Sequence, residues 1–314
     1  MIGYIFRRSL QSVIVLLLVA MIMFVLFHLL PGNPARAELG FKVTPAAIQA
    51  FDKLQGLNRP VWYQFWIYLD HLAHGNLGFS YIQNASVALL FAQRFPKSIL
   101  LLTLATVLAI VVAIPLGILQ AVRRNKVDDY ILTGASFVFY SFPTFWLGIV
   151  LIEVFAITLH LLPFSAPQGT SLGQILSDWR ALILPVVTLA MISIASYSRY
   201  MRSAMIESLA QDYIRTARAK GVSQRAVLLR HALRNSLIPM ATLIGLSIPG
   251  LLGGAVITES VFNYPGVGLL FVQSATSEDF SVMLGLTLVA AVGVIVGNLV
   301  ADILYGVLDP RIRY

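Results

Sequence analysis

The chain has 314 residues, of which 58% are hydrophobic and 11% charged, with a formal charge of +8. Soluble domains run at about 45–50% apolar and about 25% charged, so this composition excludes an ordinary water-soluble enzyme or binding module and reads as a membrane protein. The absence of cysteine excludes disulfides and thiolate metal sites.

Runs free of Lys, Arg, Asp and Glu cover 9–35, 98–122, 130–152, 181–198, 235–258 and 280–301. Each reaches or approaches the roughly 17–25 residues a helix needs to cross about 30 Å of hydrocarbon. A further run, 154–177, is broken by Pro163, Pro167 and two glycines, and its first part reads as the outer end of the third span. The expectation is an all-α polytopic integral membrane protein with six transmembrane helices. Arg7, Arg8 and the small residues around Arg36 resemble a secretory signal, but 9–30 exceeds the roughly 7–15 residues of a signal core, so an uncleaved first span is expected.

Basic residues set the orientation. With the N-terminus inside, the segments 1–8, 123–129, 199–234 and the tail after 306 hold fifteen of the 22 Lys and Arg. Positive charge accumulates on the cytoplasmic side, so both termini are expected there. The chain then divides into 1–30, the N-terminal end and first span; 31–97, an outer segment; 98–308, a core of five spans with a cytoplasmic loop at 199–239; and 309–314, a tail.

Within 31–97, "PVWYQFWIYLDHL" gathers Trp62, Tyr63, Phe65, Trp66 and Tyr68. These suit either a helix at the outer membrane interface or a small packed cap over a pore mouth. His71 and His74 read as interfacial polar residues rather than metal ligands, since no third ligand is near. Pro115 and Pro143 are expected to kink the second and third spans, and Pro249 to interrupt the fifth. Gly250 with Gly254, and Gly293 with Gly297, form GxxxG pairs that let helix backbones approach closely.

The stretch 215–239, "RTARAKGVSQRAVLLRHALRNSLIP", holds six Lys or Arg, one His and no acid. Arg199 and Arg202, on the outgoing fourth span, are expected to reach headgroups. Asp212 is expected to cap a helix over 213–220, with Gly221 as its C′ residue. Ser223 caps a second helix from 224 to about 233, with Ala226, Leu229 and Leu233 on one face and Arg225, Arg230 and Arg234 elsewhere. Residues 235–239 then return to the membrane. Such a basic pair of helices lies on anionic lipid, binds nucleic acid or docks into a partner's groove. No base-stacking aromatics are interleaved, and two capped helices with a defined bend are more structure than lipid attraction requires, so docking is favoured.

At this point the residues carry a resemblance. "DYIRTARAKGVSQRAVLLRHALRNSLIP" resembles the cytoplasmic coupling loop of ABC-importer permeases of the dipeptide/oligopeptide type. "HLLPGNPA" and "GNLGFS" are similar to signatures after the first span, with Asn33 and Asn76 where Asp is more usual. "ESVFNYPGVG" and the closing "LDPRIRY" are similar too, so the resemblance covers nearly the whole chain. It implies the six-helix type I ABC-importer permease fold in a prokaryotic cytoplasmic (inner) membrane. Implied partners are a second homologous permease, two cytoplasmic ABC ATPases and an extracytoplasmic solute-binding protein. Asp212, Arg215, Thr216, Ala217, Arg218, Lys220, Gly221, Arg225, His231 and Arg234 fall in the implied ATPase-coupling loop. Arg215 stands where the general importer motif has Glu, and Arg234 where that motif ends in Pro.

No GxxxxGK[ST] occurs, so no cofactor is expected on this chain; ATP and Mg belong to the partner ATPases. No catalytic triad or carboxylate pair is evident. A self-sufficient secondary transporter is the competing class, but intramembrane charged pairs and repeats are lacking. Glu153, Glu259 and Asp302 lie toward span ends. A purely scaffolding role fits poorly with kinked spans and capped cytoplasmic helices. Peptides are the expected substrate, with nickel, glutathione or another small solute as the alternative.

Overall fold

A computed structural model describes residues 2–29, 44–54, 56, 58–252 and 255–308, with backbone alone at 2–6, 8, 27, 51, 54, 242, 245–252 and 300–308. Most of "HLLPGNPA", including Asn33, as well as Gly254 and the tail 309–314, lie outside the described residues. The chain is predominantly helical. In order, α1 is Ile2–Leu29, α2 Pro45–Leu54 and α3 Val61–Ala73. A hairpin of β1 (Phe79–Ser80) and β2 (Ala85–Ser86) pairs Phe79 with Ser86 and leads into α4, Val87–Val122. Next come α5 (Val127–Ser141), α6 (Thr144–Leu151) and a π-helical turn, Ile152–Thr158. α7 is Leu172–Ser177, α8 Trp179–Leu209, α9 Asp212–Ala219 and α10 Gln224–Ala226. A second π-helical turn, Val227–Ala232, runs into α11, Leu233–Leu252. α12 (Val256–Val261), α13 (Val267–Thr276) and α14 (Phe280–Leu308) complete the order.

Among the described residues, α1, α4, α8 and α14 are each long and apolar enough to cross a membrane. α5 and the α6 segment qualify only together, and they meet at 104°. The third apolar run is therefore sharply broken rather than one kinked rod. The break falls at Phe142 and Pro143, both extended, because Pro143 has no amide to give a continuing helix. Glu153 sits on the exposed side of the following π turn. Neither Pro115 nor Pro249 ends its helix: α4 and α11 are continuous through them. Membrane helices tolerate proline where the freed carbonyl finds another donor, which sequence alone does not reveal.

The described contacts divide the chain into two compact units. One comprises 1–98, 252–256 and 265–314. In it α3 packs on α1: Phe24 lies 5.2 Å from Phe65 and 5.7 Å from Tyr68, ring to ring, and His28 Nε2 is 2.9 Å from Gln64 Oε1. Trp62 and Trp66, four residues apart, remain 66% exposed. The dense aromatics thus split into a packed half and an outward half. The hairpin is fastened to the start of α14, where the buried Ser80 hydroxyl donates to Asp279 Oδ2 at 2.5 Å. Gly293 and Gly297 lie on α14, half-buried and buried respectively.

The other unit comprises 99–251 and 257–264. Along α4 one buried stripe runs through Leu101 and then the small residues Ala105, Ala109, Ala113, Gly117 and Ala121, one turn apart. At Gly117 the small residue lets α8 approach closely, as glycine does between membrane helices. At Gly117 a Cβ would lie 2.5 Å from Met201 Cβ and 2.7 Å from the Ser198 carbonyl oxygen. "ESVFNY" forms a packed corner here, with Glu259, Phe262 and Tyr264 fully buried and the Ala166 amide donating to the Phe262 carbonyl at 2.8 Å.

Candidate coupling site

α9 is amphipathic over two turns. Ile214 and Ala217 are buried at 0% and 7% exposure, while Asp212, Arg215, Thr216, Arg218 and Lys220 are exposed. Asp212 is the first helical residue rather than the cap, which is Gln211, so its side chain is free to meet Arg215 Nη1 at 3.2 Å. Both groups of this ion pair are strongly exposed and add little to stability. Thr216 donates its hydroxyl to the Asp212 carbonyl at 3.0 Å.

The helix ends as expected at Gly221, whose φ is +77°. The Gly221 amide donates to the Arg218 carbonyl at 3.0 Å and the Val222 amide to the Ala217 carbonyl at 3.2 Å. This pair of bonds is the Schellman arrangement, and Val222 packs in the same apolar cluster as Ala217 and Ile214. Ser223 then accepts the Ala226 amide at 3.4 Å, capping the next helix.

That second helix is not a separate short element. It passes through the π turn at 227–232 directly into α11, with no break at Leu233 or over 235–239. The π turn also moves the buried face. Val227 and Ala232, five apart, are both 0% exposed, and the stripe continues through Ser236 and Met240 at four-residue steps. Leu229, expected to share one face with Ala226 and Leu233, is 47% exposed while those two are half-buried. A π turn takes an extra residue per turn, so counting at 3.6 points to the wrong side. Arg225 and Arg234 are exposed and His231 is half-buried.

Three hydroxyl residues absent from the sequence reading join the loop to its helical arms. The Ser208 hydroxyl lies 2.6 Å from the Tyr213 hydroxyl and donates to the Ala232 carbonyl at 3.1 Å. Ser236 lies within 3.0 Å of the Ala232 carbonyl and 3.1 Å of the Ala204 carbonyl. Carbonyls at a π turn need such donors. Their only sequence signal is small hydroxyl residues at helical spacing, which is too common to single them out.

Arg199 and Arg202, expected to reach headgroups, both have partners within the protein. Arg202 forms a two-pronged ion pair with Asp129, and Arg199 lies over the Phe137 and Tyr140 rings at 4.9 and 4.7 Å. The site is therefore a surface of exposed bases, Arg215, Arg218, Lys220 and Arg225, on a rigid apolar mount made by Ile214, Ala217, Val222 and Val227. Ala217 belongs to the mount. Of the remaining glycines and prolines, Gly250 lies in α11 beside Pro249 as backbone alone.

Residues 113–314 match the family described as binding-protein-dependent transport system inner membrane component, and 1–103 match its N-terminal companion. The chain is 40% identical to the oligopeptide transport system permease protein AppB of Bacillus subtilis, over the full length of both. It is 37% identical, again over both full lengths, to the glutathione transport system permease protein GsiC of Escherichia coli K12. The chain belongs to the family of binding-protein-dependent transport system inner membrane components, and is a permease subunit of an ABC importer.

Proposed function

We propose that this permease imports short peptides, and that the surface built around Gly221 is where cytoplasmic ATPases drive it. ATP is hydrolysed on separate chains, two ABC ATPases seated under the basic face. A second homologous permease completes the path, and an extracytoplasmic binding protein delivers substrate. The chain crosses the membrane six times with both termini inside, which puts the basic face on the ATPase side.

The observation that carries this reading is the mount. Exposed bases on a loose loop would serve for lipid attraction, whereas here α9 is held by buried Ile214 and Ala217 and by the Ser208–Tyr213 contact. Its arms are α8 and α11, so a displacement of α9 is passed to two long helices as rigid motion. The relatives support the substrate class: one is named for oligopeptide and the other for glutathione transport, and both solutes are short peptides.

The test is affinity purification of the tagged chain in mild detergent, with every co-purifying subunit identified. Recovery of ATPases and a second permease from wild type, with the ATPases lost from Arg215→Glu/Arg218→Glu, is expected. ATPases retained by that double variant would move the docking surface elsewhere. A lone chain that moves peptide in liposomes without ATP would overturn the reading.

A further inference from the structure

A single buried carboxylate fastens the turn at 123–126 and the start of α5 to α8, on the cytoplasmic-loop side of the Arg199 stack on Phe137 and Tyr140 and the Ser136–Ser198 contact at 3.5 Å. Arg202 Nε donates to Asp129 Oδ1 and Arg202 Nη2 to Oδ2, both at 2.7 Å. Asp129 is 2% exposed and the Arg202 side chain 25%. The Asn125 amide, in the left-handed region at φ +63°, donates to Oδ2 at 2.9 Å. Thr133 donates its hydroxyl to Oδ1 at 3.3 Å, and Gln120 of α4 reaches Thr133 at 3.4 Å. All four lone-pair directions of the carboxylate are thus engaged.

Stability alone does not explain this arrangement. Apolar residues of similar volume hold two buried surfaces at least as well as an ion pair does, because both charges must be desolvated. What a two-pronged Arg–carboxylate pair adds is one orientation and one register. The register here is between α5, the first arm of the 104° bend, and α8, whose far end turns through Ala210 and Gln211 into α9. Arg202 lies seven residues, two turns, before Leu209.

We propose that Asp129 and Arg202 form a clamp by which α8 carries the bent α5–α6 segment with it when the coupling surface moves. The continuous chain transmits motion from α9 to α8 and α11; the clamp adds α5, which no covalent path from α9 reaches directly. Asp129 and Arg202 are positioning residues, and the inference rests on the coupling function proposed for α9.

The deciding variant is Arg202→Lys in the complete importer, since it keeps the charge but loses the fork. Expected is an assembled complex that hydrolyses ATP while peptide taken up per ATP falls about tenfold; Asp129→Glu, which keeps a carboxylate for the fork, falls less. Uptake and hydrolysis that drop together, in proportion to folded protein, would reduce the pair to a structural tie and overturn the proposal. So would unchanged uptake per ATP. A second measurement uses the chain by itself, which has no native cysteine. Spin labels at Val127→Cys and Tyr200→Cys, both exposed positions, report the α5–α8 distance. Arg202→Lys is expected to broaden that distribution, and an unchanged distribution would overturn the clamp. A wild-type chain that binds no ATPase would instead overturn the coupling function, with the spin-label result still deciding the clamp.

Discussion

The Ser208 hydroxyl sits 2.6 Å from the Tyr213 hydroxyl, and because its single hydrogen goes to the Ala232 carbonyl, the tyrosine is the donor of that pair. Ser208 therefore ties α8 to α9 and to the π turn at once. Ser208→Ala removes both bonds and Tyr213→Phe only one. The expected losses are about 2 kcal/mol and about 1 kcal/mol, read from thermal midpoints of the purified permease. Equal losses would mean that the bond to Ala232 contributes nothing.

Gly221 closes α9 at φ +77°, and a Cβ there would meet nothing within 4 Å. The glycine is needed for its backbone alone. Gly221→Val forces a left-handed β-branched residue at a cost of roughly 1–2 kcal/mol or more, so the turn re-forms and the two arms lose their fixed angle. ATP hydrolysis is expected to continue while uptake is lost. Gly221→Asn, which tolerates this conformation, is expected to retain most uptake. Full transport by the valine variant would argue against a rigid turn.

Gly117 has the opposite constraint, space rather than backbone angle. Gly117→Ala places a methyl 2.5 Å from Met201 Cβ and 2.7 Å from the Ser198 carbonyl oxygen, and overpacking of this kind costs about 1–3 kcal/mol. Shortening the neighbour with Met201→Ala is expected not to rescue it, because the Cβ and the backbone oxygen both remain. Thermal melts of the single and double variants decide this, and recovery in the double variant would mean α8 is free to shift.

Deleting Leu229 shortens the spacing from Val227 to Ala232 from five residues to four. A regular α-helix then keeps Val227, Ala232, Ser236 and Met240 on one buried stripe. The variant is expected to fold with an unchanged or raised thermal midpoint. Deleting Asn235, within the regular stretch of α11, rotates everything after it by about 100° and is expected to lower the midpoint and the yield. A deletion of Leu229 as damaging as that of Asn235 would show that the π turn is needed for folding.

Apolar runs, basic loops, the Gly221 turn and the Ser223 cap were all legible in the chain, because they depend on local chemistry: transfer of side chains into hydrocarbon, the placement of charge, and the backbone freedom of one residue. The break at Pro143 had a local cause as well, but its 104° angle did not. Leu229 marks where counting failed, since an added residue in a π turn reverses which side is buried and no residue announces it. Arg202 marks a second kind of failure. On the sequence it is one base among many near a membrane, while its partner Asp129 lies 73 residues away in a turn that looks merely polar.

What the sequence by itself determined is therefore the membrane class, the family and the position of the basic turn, all set by composition and by residues within a few positions of each other. Only the tertiary structure decided which of those bases face outward, which are consumed in holding α5 to α8, and that Gly117 is where α4 meets α8. Those outcomes depend on side chains far apart in the chain competing for the same buried space and the same hydrogen bonds.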